Sequence, residues 1–200
     1  TSGSAATILA SIDNIFIGYE SGSGDWCNGG AAAASNYNVG IGNYSMMAAL
    51  NAADSNTAVG YGTLANLTTG TDNVTMGFLA GNGLVSGAAN TAVGKHALYA
   101  ANATEGGNVA IGSLAMSAVD EGENGGSGTV SADYNVAIGY NALLGGDMGD
   151  ASSSSNRDLT SNIAIGAYAL DATATNSQTG TVAIGHQSLS ALTSGAGNIA

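Results

Sequence analysis

NTAVGYGTL at 56–64, NVTMGFLAG at 73–81 and NTAVGKHAL at 90–98 are three copies of one pattern, and the step from Asn56 to Asn73 recurs unchanged from Asn73 to Asn90. The pattern is Asn, a β-branched residue, a small residue, an aliphatic residue or Met, Gly, two free positions and a small residue. A fixed period of this length marks stacked coils, each of which buries its apolar face only against a neighbour. Working outward, the other copies are NIFIG at 14–18, NVGIG at 38–42, NVAIG at 108–112 and 135–139, NIAIG at 162–166 and TVAIG at 181–185, where Thr181 replaces Asn. The intervals from Asn14 to Asn38, Asn108 to Asn135 and Asn135 to Asn162 are longer, yet the motif on either side is intact. Insertions of this kind map to loops on one flank of a solenoid.

Each motif is too short for a helix, and its apolar positions alternate with the two-residue period of a strand. Val136 and Ile138 point one way and Ala137 the other. β-Branched residues hold the second position in every copy, which suits a pleated surface. The closing glycines Gly60, Gly77, Gly94, Gly112, Gly139, Gly166 and Gly185 are expected at coil corners, with positive φ or close backbone approach. With Asn56, Asn73, Asn90, Asn108, Asn135 and Asn162 they form the structural skeleton of the repeat. A small residue follows three places after the Gly, then in most copies Leu or Met, read as a second short strand or turn whose Leu enters the coil. Gly22 and Gly81 break that rule. Parallel stacking at about 4.8 Å makes the nine copies a rod of roughly 45 Å.

Neither face of the motif strand is polar, whereas a strand wetted on one side alternates apolar with polar. One face therefore meets the coil interior and the other a second protein surface. Ala can also simply be tolerated in solvent, but its recurrence at one place favours a seam. The reading assigns the seam to the row Ala58, Ala92, Ala110, Ala137, Ala164 and Ala183, whose small side chains let neighbouring backbones approach around a narrow axis. The fold class is accordingly all-β: a parallel β-solenoid of about nine coils with a seam to a second protein surface. The chain divides into a lead-in at 1–13 and a repeat roll over 14–200 with insertions at 19–37, 117–134 and 144–161. Asn198-Ile199-Ala200 opens another copy, so the roll is expected to stop mid-repeat.

Fourteen acidic residues face only Lys95 and Arg157, a net charge of −12. That balance offers no electrostatic footprint for nucleic acid and is repelled by anionic lipid. No run of 18 apolar residues occurs, so no membrane-spanning segment is expected. Cys27 is the single cysteine and cannot form an intrachain disulfide.

No catalytic constellation is legible. His96 and His186 fall at free positions just past their motif Gly and read as solvent-facing side chains. Ser152–Ser155 is a low-complexity run without the strand–turn–helix setting of a nucleophile elbow. Asp120, Glu121 and Glu123 in one long interval and Asp147 and Asp150 in the next are weak Ca²⁺ candidates, because stacked coils bring the two loops together. Neither an EF-hand loop nor a nonapeptide Ca²⁺ repeat is present, so solvated acidic loops and no cofactor is the favoured reading. Tyr19, Tyr61, Tyr140 and Tyr168 follow their Gly by one or two places and form a strip along the rod. Such strips stack on sugars or serve as half-buried struts of the roll or seam, and the strut reading is preferred.

NTAVGYGTLANLTTGTDN at 56–73 and NVAIGYNAL at 135–143 resemble the head repeats of trimeric autotransporter adhesins of the YadA type. They are more similar still to the longer-period form found in bacteriophage tail fibres and related virion appendages. The resemblance covers nearly the whole chain from Asn14 onward; the longer period and the extended intervals after Asn14, Asn108 and Asn135 depart from the bacterial adhesin head. It implies a left-handed parallel β-roll, three chains side by side about a common axis as a homotrimer. The function it implies is a structural and adhesive fibre shaft or head, extracellular on a virion, that attaches to a host or surface through an unknown cell-surface receptor, a glycan among the candidates. A bacterial surface adhesin or extracellular filament subunit is the alternative. A tailspike-like polysaccharide depolymerase fits less well, since it wants long coils with acids grouped in a groove, so no enzyme is expected.

Overall fold

The computed structural model describes residues 11–24, 33–101, 104–119, 132–145, 158–173 and 177–200. Every motif becomes a three-residue strand: β1 (Ile15–Ile17), β2 (Val39–Ile41), β3 (Thr57–Val59), β4 (Val74–Met76), β5 (Thr91–Val93), β6 (Val109–Ile111), β7 (Val136–Ile138), β9 (Ile163–Ile165) and β11 (Val182–Ile184). These nine pair in sequence order as one parallel sheet. The register carries the motif through unbroken, with Ala58 beside Thr75, then Ala92, Ala110, Ala137, Ala164 and Ala183. A second, three-stranded parallel sheet of β8 (Leu159–Thr160), β10 (Gln178–Thr179) and β12 (Gly195–Ala196) covers the return legs of the last coils. The architecture is an all-β, regularly stacked parallel solenoid, and among the described residues there is no helix.

The leading Asn of each copy does more than mark the repeat. Its Oδ1 accepts from the backbone N–H of the next coil's Asn, as in Asn56 to Asn73 at 3.1 Å and Asn73 to Asn90 at 3.0 Å. It also accepts from that residue's side-chain amide, at 2.9 and 3.1 Å in the same two steps. Each Nδ2 in turn reaches across its own coil to a backbone carbonyl on the return leg: Asn56 to Gly70, Asn73 to Gly87, Asn108 to Ala132, Asn135 to Leu159. The acceptor always stands at the third place before the next motif, in the short coil that begins at Asn56 and in the long one that begins at Asn108 alike. The amide thus fixes the distance between strand and return leg in short and long coils alike. These side chains are fully buried, where a paired amide is stabilising and an orphaned one costly.

Thr181 ends the amide column, and Gln178 takes over part of its role. Asn162 Oδ1 still accepts from the Thr181 N–H at 3.0 Å. The Gln178 amide, just before Thr181, donates to Gly195 C=O at 3.1 Å and accepts from Ser194 N–H at 2.8 Å. Gly195 stands at the third place before Asn198, where an Asn at 181 would reach its brace.

Corners are built from positive φ. In the coil of β5, Ala89 (57°), Gly94 (138°), His96 (56°) and Leu98 (51°) all lie there. A Cβ on Gly77 would come within 2.5 Å of Gly94 O in the next coil, so the glycine column is both a conformational and a steric requirement. Leu64, Leu98, Leu143 and Leu170 take the left-handed conformation at the fourth place after Gly and are wholly buried. That conformation costs about 1 kcal/mol, and burying the Leu returns about 2 kcal/mol, so the inward Leu wins. At Gly81 the same place has φ +59°, and a Cβ there would sit 2.9 Å from Thr75 Cγ2. A Cβ on Gly22 would likewise meet the Phe16 ring at 2.6 Å. The two glycines that break the Leu rule are those opposite an enlarged mid-strand residue.

Asn73→Ala should lower stability by roughly 3 kcal/mol or more, since it leaves the Asn90 N–H and the Gly87 carbonyl buried without their partner. Asn66→Ala, which removes a single exposed bond to Asn82 O, should cost under about 1 kcal/mol. Denaturant unfolding of the two variants side by side checks the difference.

Candidate functional site

The alanine row does not form an outer seam. Ala58, Ala92, Ala110, Ala137, Ala164 and Ala183 are each 0 % exposed within the single chain and belong to its core, facing small residues such as Ala80, Ala97, Ala115 and Ala142 and the inward Leu and Met. The coil is narrow, so its interior accepts only small residues at most mid-strand places, and the bulky β-branched residues stand outside. The apolar face that the sequence requires is therefore the other one. Ile15, Ile17, Ile41, Val74, Met76, Ile111 and Ile184 are exposed there, with Val93, Val136, Ile138, Ile163 and Ile165 partly so. Only Thr57 and Thr91 interrupt it with hydroxyls. The result is a flat apolar ribbon nine strands long, roughly 10 Å by 40 Å.

Beside this ribbon, past the glycine corner, runs a row of rings. Tyr19, Tyr44, Tyr61, Phe78 and His96 succeed one another at centroid steps of 5.5, 5.4, 5.3 and 5.5 Å, one to each coil. Tyr99 closes on His96 at 4.9 Å. Ser113 and Leu114 interrupt the row, which resumes as Tyr140, Tyr168 and His186 at 5.3 and 6.3 Å. The four tyrosines singled out from the sequence all lie in it, while Tyr44, Phe78 and the two histidines were missed as members. Their signal was present: the ring stands at either the first or the second place after Gly, so that nearly every coil carries one. The Glu20 carboxylate, hydrogen-bonded to the Tyr19 hydroxyl and repelling its phenolate, raises that hydroxyl above the usual tyrosine range.

His186 is exposed as expected, but His96 is not an ordinary solvent-facing side chain. Its ring lies between Phe78 and Tyr99, and its Nε2 is buried without a hydrogen-bond partner among the described residues. Desolvation, then repulsion from Lys95, holds it below the ordinary histidine range.

Among the described residues, no three His, Cys, Asp or Glu side chains are grouped to hold a metal, and no helix is long and apolar enough to cross a membrane. Asp120, Glu121, Glu123, Asp147 and Asp150 lie outside the described residues, as do Cys27, Ser152–Ser155, residues 25–32 of the first insertion and most of the other two. Compared with protein-family models, with curated proteins and with solved structures, the chain matches none.

Because the folded state resists protonating His96, its stabilising contribution is complete above the unfolded histidine pKa of about 6.5 and is lost as pH falls below that value. His96→Phe should remove this dependence, read as a flatter melting temperature across the acidic range than the parent chain shows.

Proposed function

We propose that this chain is the structural and adhesive shaft or head of an extracellular fibre, of the kind that virion appendages use to attach to a host or surface. In this reading three chains stand side by side about a common axis, each wound as a left-handed roll. The observation that carries it is the nine-strand apolar ribbon on the outside of a coil whose own core is already full. A ribbon of roughly 400 Å² is comparable in area with the largest apolar patch of a typical monomer, so it is its regularity over nine coils, more than its area, that supports an interface. Its repeat is commensurate with an identical copy, since every row meets the same residue types at the same spacing. The high acidity keeps such rods soluble and apart from nucleic acid and anionic lipid. The likeness of NTAVG and NVAIG repeats to virion-fibre and adhesin heads supports the same assignment. The role is attachment and spacing, without catalysis or a resident cofactor.

Native mass spectrometry tests the assembly. The parent chain should run at three times its 19.2 kDa, and Ile111→Glu should release folded monomers, because the exposed isoleucine is replaced by charges that repel across the seam. Ala137→Glu should instead abolish the β signal in circular dichroism, since it places a carboxylate inside the coil. A well-folded monomer of the parent chain overturns the trimer.

A further inference from the structure

We propose that the ring row binds an extended, uncharged polysaccharide laid along the rod, one sugar to a coil. This deepens the reading of the rod as an attachment fibre and rests on it. The first argument is exposure. Rings that served only as struts would be covered, yet Tyr19, Tyr61, Phe78 and Tyr140 leave 61, 46, 46 and 44 % of their surfaces open. Their mutual contacts, each contributing about 1 kcal/mol, account for the alignment but not for the open surface. The second is the repeat. One ring stands on each coil from Tyr19 to His96, so a chain laid along the rod meets a ring at every coil, and the coil rise of about 4.8 Å is comparable with the length of one pyranose in an extended chain.

The rings do not share one orientation: Tyr19 to Tyr44 and Tyr44 to Tyr61 turn by 85° and 73°, Tyr61 and Phe78 lie nearly parallel at 12°, and Phe78 and His96 tilt by 46°. Exposed Asn43 and Lys95 stand next to Tyr44 and His96 and supply hydrogen-bonding groups at the margin of the row. The net charge of −12 selects against acidic polysaccharides, which leaves uncharged ones. The row also lies past the glycine corner, off the apolar ribbon, so assembly through the ribbon and binding through the rings use different residues.

Native gels cast with soluble β-glucan, galactomannan or arabinoxylan, and with polygalacturonate as the acidic comparison, test the proposal. The parent chain should be retarded by at least one uncharged polymer and not by polygalacturonate. The Tyr61→Ala, Phe78→Ala double variant should bind about tenfold more weakly, while Tyr134→Ala, at an exposed ring off the row, should bind as the parent does. In the unaltered chain the polymer should slow nitration of Tyr61 and leave Tyr134 unaffected, a readout independent of how the variants fold. Absence of retardation by every uncharged polymer, equal retardation of the double variant, or a double variant that changes the native mass instead of the binding overturns the proposal. The last outcome would make the rings part of the seam. A chain that runs as a monomer yet is retarded through Tyr61 and Phe78 removes the trimer and leaves the sugar strip standing.

Discussion

The buried asparagine column is the interaction on which the roll depends. Each carboxamide is at once acceptor for the next coil and donor to its own return leg, so one side chain sets both the rise between coils and the width of each coil. Asp cannot replace it, having no donor, and Ser cannot reach. Because Nδ2 measures its partner from the following motif and not along the chain, the braced section is the same in the short coil after Asn73 and the long one after Asn108. The rod can therefore carry coils of different length without loss of register in the main sheet.

Much of this was legible before any coordinates. The strands, their parallel order and the glycine corners follow from the repeat, because a period that survives three insertions must be held by contacts between copies. What was not legible was which apolar face is inside. Alternation tells that Ala137 and Ile138 point in opposite directions; it says nothing of which way is in when both are apolar. Coil width decides it, and width is set by the asparagine brace, a through-space bond that periodicity does not reveal. The assignment of the seam to alanine was wrong for that reason.

Volume compensation was visible but unread. Phe16 and Thr75 are the enlarged mid-strand residues, and each of their coils has glycine where the others have Leu or Met. Gly40, in the strand beside Phe16, is a second concession to the same ring, for a Cβ there would lie 2.7 Å from it. Taken together, these positions show the same inward direction of the mid-strand residue that the burial of the alanine row shows. The ring row was likewise half legible, since its members occupy either of two places and a search at one place finds only some of them.

A stack whose hydrogen bonds run along its axis has a particular response to load. Pulling on the ends of such a rod strains the bonds between coils in tension, not in shear, so the junctions are in series and the weakest opens first. At Thr181 the carboxamide is missing and one backbone N–H bond to Asn162 remains, but β10 pairs with β8 across that junction and with β12 across the next. Gln178 also braces the return leg, so a second set of strand pairs stands in for the lost amide. Each released coil adds slack before the next gives way. Lateral contacts along the ribbon would convert the same pull into sliding between rods, which engages every coil at once.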